Sequence, residues 1–294
     1  MARGIGRLAV AGMLLAACGH GASPPAQQPL TAELVQYRDD ILIDQMQLQL
    51  TNGLDEQLPL VGVQFVWEGF DSEFRAHEIL VGAGQRVDLP VSVLAPRCRI
   101  DGTSIEMPPA ADGARVVLTL ADGSTRAAEV TDSDGTAAAI HRAGCERRMI
   151  ESQVLIGFSD IRRDMVDGRP MTVAELRLDR VDSTSTVRVV TAANTIPFTL
   201  RFPDVPEAAT AFVELPAGSE HSSARVQFTE GRCDAHAVAE TKQPFRFVLQ
   251  LDLGDGVDRS YVAQPDQDVQ PDMLATVAEG CAALGADGTL SPDD

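Results

Sequence analysis

The stretch Phe245-Arg-Phe-Val-Leu-Gln-Leu-Asp-Leu-Gly-Asp-Gly-Val-Asp-Arg-Ser-Tyr-Val-Ala263 decides the fold class. Phe245, Phe247, Leu249, Leu251 and Leu253 alternate with Arg246, Val248, Gln250 and Asp252. A period of two places the apolar set on one face, as in an antiparallel strand with one side in a core. Asp255-Gly256 then interrupts the pattern. That dipeptide suits a tight hairpin turn, where the backbone needs positive φ.

Working outward, the hairpin lies between two cysteines. Upstream is Gly231-Arg-Cys233-Asp-Ala-His236-Ala, and downstream Val277-Ala-Glu-Gly-Cys281. The same order occurs earlier in the chain. Pro96-Arg-Cys98-Arg-Ile-Asp-Gly102 precedes Ala114-Arg-Val-Val-Leu-Thr-Leu-Ala-Asp-Gly-Ser-Thr-Arg-Ala-Ala-Glu-Val130, and His141-Arg-Ala-Gly-Cys145 closes the segment. The two cysteine spacings differ by a single residue. The repeat therefore pairs Cys98 with Cys145 and Cys233 with Cys281. In the chain-entropy account a bridge closing a loop of this length contributes about 4 kcal/mol.

Further alternating segments are Gln45 to Leu50, Val61-Val63-Phe65-Trp67 and Ile196 to Phe202. Trp67 shares the phase of Val63 and Phe65, which makes it a core residue. Helical pattern is scarce. Asp272 to Leu284 brings Met273, Val277, Cys281 and Leu284 to one face, and Thr136 to Cys145 predicts only a turn or two. Many short strands with frequent turns predict an all-β chain of two tandem, disulfide-linked β-sandwiches, immunoglobulin-like in form. The expected boundaries are 35–149 for the first domain, 150–286 for the second and 287–294 for an acidic tail.

The N-terminus sets location. Arg3 and Arg7 precede an apolar run from Leu8 to Ala17, too short to span a bilayer and suited to a signal-peptide core. The run ends Leu15-Ala-Ala-Cys18, followed by Gly19, and resembles the bacterial lipobox. That resemblance implies cleavage after residue 17 and attachment of diacylglycerol, with palmitate-type chains, at Cys18. Paired acyl chains anchor stably where one is marginal. Residues 18–34 read as the lipidated cysteine and a flexible linker, rich in Pro, Gln, Ala and Gly. The expected place is the extracytoplasmic side of the cell membrane, held by the lipid anchor.

The formal charge of −19 argues against a nucleic-acid partner. Four cysteines besides Cys18 form an even set, as an exported, oxidised chain requires.

Cys233-x-x-His236, with Asp234, Glu240 and Lys242 nearby, is the one stretch that raises a metal or catalytic reading. Structural zinc takes four ligands, commonly as two close pairs, and no second pair exists. No metal or cofactor is expected. Asp132-Ser-Asp134 and Asp266-Gln-Asp268 lack the distal Glu of a calcium loop and read as acidic turns. There is no Cys-x-x-Cys, Gly-x-Ser-x-Gly or His-Glu-x-x-His. The histidines are His20, His77, His141, His221 and His236; His77, His141 and His221 lie in polar segments that predict solvation. The pairs Arg147-Arg148 and Arg162-Arg163 predict surface pairing with carboxylates.

Arg232-Cys-Asp-Ala-His-Ala-Val-Ala-Glu240 with Lys242, a Phe-rich strand and a late cysteine resembles a group of exported actinobacterial proteins with no assigned function. The resemblance implies location and architecture and carries over no functional residue. The functional expectation is a non-catalytic binding or structural module of the cell envelope, with a protein or cell-wall partner. Two alternatives stand beside it: a hydrolase using Asp234 and His236, and a small-ligand carrier.

Overall fold

The computed structural model describes residues 30–108 and 113–284. The signal, Cys18, most of the linker and the acidic tail lie outside the described residues. The chain is mostly β, with several sheets and two disulfides.

The first half contains strands β1 (Thr31–Val35), β2 (Gln45–Thr51), β3 (Leu58–Val66), β4 (Phe74–Val81) and β5 (Arg86–Ser92). A small hairpin, β6 (Arg99–Asp101) with β7 (Ser104–Glu106), precedes β8 (Arg115–Leu120) and β9 (Thr125–Thr131). All but the small hairpin join one seven-stranded sheet in the order β4-β3-β8-β9-β1-β2-β5. This differs from the sandwich expected here. The sheet curls towards a barrel, and its edge strands β4 and β5 approach each other. The pairing that makes this possible is β1 lying parallel to β9, with Glu33 opposite Thr131. A bulge between Leu60 and Gly62 contributes as well. It shifts the phase of β3, so Leu58 and Leu60 are buried, as are Val63, Phe65 and Trp67, while Val61 is only half-buried.

Helix α1 (Thr136–Gln153) is much longer than the turn or two expected. Its buried side chains Ala137, His141, Cys145 and Met149 recur every fourth residue, one face of a helix. The Asp132 carboxylate accepts hydrogen bonds from the N–H groups of Thr136 (2.6 Å) and Ala137 (2.9 Å), satisfying two open donors of the first turn. The boundary drawn at 149 falls within this continuous helix. Ala137 packs in the core of the first half, and Met149 and Ile150 in the core of the second.

The second half builds two antiparallel four-stranded sheets. One is β10 (Val154–Val166), β11 (Arg169–Arg180), β15 (His221–Glu230) and β13 (Phe198–Arg201); the other is β14 (Val213–Leu215), β12 (Val187–Ala192), β16 (Phe247–Asp252) and β17 (Asp258–Ala263). Leu176 and Leu178 of the first sheet share a core with Val189, Leu249 and Leu251 of the second. The alternation read in 245–253 is realised, with Phe247, Leu249, Leu251 and Leu253 buried. The Asp-Gly turns adopt the positive φ they were chosen for, 82° at Gly123 and 73° at Gly256. Helix α3 (Gln270–Ala283) sets Met273 and Val277 against Phe198, Phe228 and Phe247. A short helix α2 (Ala235–Glu240) follows the second cysteine corner.

Candidate functional site

The pairings read from the repeat are present: Cys98–Cys145 with Cα atoms 5.4 Å apart, and Cys233–Cys281 at 5.5 Å. Each ties the segment before a hairpin to the helix after it. The two bridges mark the folded part as belonging to an oxidising, extracytoplasmic compartment. Among the described residues no helix is long and apolar enough to cross a membrane.

The Cys233 corner is built by backbone contact. Gly231 N–H donates to Pro197 O at 3.0 Å and Arg232 N–H to Ile196 O at 2.8 Å. A Cβ on Gly231 would stand 2.5 Å from Ile196 O, so this close approach requires glycine. The Arg232 guanidinium donates to Asp234 Oδ2 at 2.6 Å. His236 is exposed on α2. Neither Asp234 nor His236 lines any of five well-formed cavities among the described residues.

The other histidines divide differently from expectation. His221 is exposed, and His77 Nε2 donates to Pro90 O at 2.8 Å. His141, expected in solvent, is fully buried. Its Nε2 lies 3.1 Å from Arg97 O. A carbonyl only accepts, so Nε2 carries the hydrogen. The ring stands edge-on to Trp67 at 5.7 Å and Phe70 at 6.0 Å, beside the first disulfide. It is a wall of the core.

The arginine pairs are committed. Arg147 meets Glu151 (2.8 Å), and Arg163 grips both carboxylate oxygens of Glu279. Arg148 donates instead to Pro96 O, and Arg162 to Asp160 O. Among the described residues no three His, Cys, Asp or Glu side chains converge as a metal set.

One feature has no counterpart in the sequence reading. Where the two halves meet, Arg38, Ile41, Asn194, Thr195, Ile196, Thr241, Lys242, Gln243 and Arg246 line a cleft of about 380 Å³. Lys242 Nζ lies 3.6 Å from Asp39 across the junction. Sequence gives no signal for it, because Arg38 and Arg246 come from opposite ends of the described chain.

Fold and bridges together define a disulfide-bonded, mostly β protein of an oxidising compartment. No family model and no curated protein matches the chain. Among solved structures it is similar to a protein of unknown function from Porphyromonas gingivalis W83, at 12% identity and a TM-score of 0.19, over 81% of this chain and 99% of that chain. It is also similar to the exo-chitosanase CsxA of Amycolatopsis orientalis, at 11% identity and a TM-score of 0.18, over 80% of this chain and 26% of that chain. At these scores neither likeness carries an argument about activity.

Proposed function

We propose that the chain is a membrane-anchored extracytoplasmic lipoprotein, lipidated at Cys18, whose folded part serves the cell envelope as a non-catalytic binding or structural module. The carrying observation is the pair of disulfides downstream of Leu15-Ala-Ala-Cys18. An oxidising compartment is where such bridges persist, and the lipobox is a route to it that ends at a membrane. The finer reading of the second half as an immunoglobulin-like module belongs to the same proposal. It is supported by two antiparallel sheets sharing one core.

The experiment is fractionation of cells fed a palmitate analogue. The wild-type chain is expected in the membrane pellet with label. Cys18→Ala is expected without label, and no longer in the pellet as the labelled species. A wild-type chain without label, in any fraction, would sink the lipid anchor.

A further inference from the structure

The junction cleft gathers Arg38, Lys242 and Arg246, and among the described residues no Asp or Glu lines it. Four other cavities of the described residues each carry at least one acidic lining residue: Glu68 and Glu106, Asp272, Glu73, or Glu146 and Asp258. In a chain with 43 acidic and 24 basic residues, an acid-free pocket with three cations runs against the composition. Arg38 and Arg246 make no side-chain hydrogen bond or ion pair among the described residues, unlike Arg147, Arg163, Arg169, Arg177, Arg188 and Arg259. Only Lys242 has a counter-charge, Asp39, at the loose distance of 3.6 Å. Arg38 and Arg246, without a carboxylate partner, repel each other, and an arriving anion relieves that repulsion.

The walls are fixed. Arg38 sits on the loop between β1 and β2, which buried Asp40 staples through Tyr37 N–H (2.9 Å), Gln45 Nε2 (3.1 Å) and Gln47 Nε2 (2.7 Å). The opposite wall is held by the backbone bonds of Gly231 and Arg232 to Pro197 and Ile196. Thr195 Oγ1 donates to Pro244 O at 2.8 Å, tying the 194–196 segment to the 241–246 segment. Asn194 Oδ1 accepts from Leu200 N–H at 2.9 Å, which leaves its NH₂ group as a donor. The cleft therefore offers two guanidinium forks, an ammonium and an amide donor on a prepared frame.

From this geometry we infer that the cleft binds a phosphate-bearing ligand. Arginine forks match phosphate oxygens in bidentate fashion, and three cations suit a group of up to two negative charges. The volume admits a phosphomonoester with a small organic portion. The inference does not depend on lipidation at Cys18, and its failure leaves that reading untouched.

The test is calorimetric titration of the full-length chain in neutral detergent with inorganic phosphate and with glycerol phosphate. Saturable one-to-one binding is expected. Arg38→Gln with Arg246→Gln should weaken it at least about tenfold, since each charge-assisted bond is worth more than that factor. The double variant should unfold at no lower temperature than wild type, which separates loss of the site from loss of the fold. Asp39→Asn, which frees Lys242, should tighten binding. Co-sedimentation of wild type and double variant with phosphatidylglycerol vesicles, against phosphatidylcholine vesicles that report any acyl anchor, then separates sources: a preference for phosphatidylglycerol that the double variant loses assigns a lipid headgroup, and glycerol phosphate binding without that preference assigns a soluble or polymeric phosphate. Failure to bind inorganic phosphate and glycerol phosphate, with no preference for phosphatidylglycerol over phosphatidylcholine vesicles, overturns the inference, as does affinity that the double variant leaves unchanged.

Discussion

Two glycines flank the second disulfide, and neither has room for a side chain. A Cβ on Gly231 meets backbone at Ile196 O, and one on Gly280 would overlap the Glu230 carboxylate. Glu230 cannot swing away freely, because its nearly buried carboxylate pairs with Arg169 at 2.8 Å. Gly231→Ala and Gly280→Ala are each expected to destabilise by about 1–3 kcal/mol, the usual cost of forced overpacking. Urea unfolding measures this; a midpoint unchanged in both variants would contradict the close contacts. A second residue-scale effect concerns acid. Arg259, nearly buried, donates to Asp255 at 2.6 Å, and this bond holds the Asp255 carboxyl well below its ordinary 3.8. A depressed carboxyl stabilises the fold above the unfolded value, and that contribution is lost as pH falls towards the folded one. The melting-temperature gap between wild type and Asp255→Asn should be constant near neutrality and shrink below about pH 4, where the unfolded carboxyl begins to protonate. Arg259 also donates to Thr103 O at 3.1 Å, so the same pair fastens the β6–β7 hairpin to the second half.

At the scale of elements, α1 shows how a helix hides from a sequence reading. Its buried row is Ala137, His141, Cys145 and Met149. A histidine and a small alanine fill two of those positions, and the solvent side carries Arg147 and Arg148, so the apolar signal is thin. The stretch therefore reads as a short turn, although its spacing is regular. What lengthens it is tertiary burial, which overrides weak local pattern. Helix α3, with Met273, Val277 and Cys281, carries a stronger stripe and was legible. The Cys98–Cys145 bridge pins α1 to the loop ahead of β6, while Met149 and Ile150 enter the second core. Ile150→Ala is expected to cost about 2–5 kcal/mol, the range for truncating a large buried aliphatic side chain. Loss below 0.5 kcal/mol by chemical denaturation would mean that the end of α1 does not seal that core.

For the whole molecule, the shared helix predicts coupled unfolding. Trp67 is the chain's single tryptophan and lies in the core of the first half. Its fluorescence therefore reports that half alone, while far-ultraviolet circular dichroism reports both. Coincident denaturant transitions from the two probes are expected, the signature of one cooperative unit. Two separated transitions would show that α1 does not transmit stability between the halves.

What the sequence determined by itself was local or duplicated: the alternating strands, the Asp-Gly turns, the burial of Trp67 and, through the repeat, both disulfide pairings. Each of these is written in residues near one another or copied at matching spacing. Only the tertiary structure decided the parallel pairing of β1 with β9, the curl of the first sheet, the reach of α1 into both cores and the cation-lined cleft. Those features depend on contacts between segments far apart in the chain. Alternation specifies which face of a strand is buried, and it leaves open which strand lies alongside.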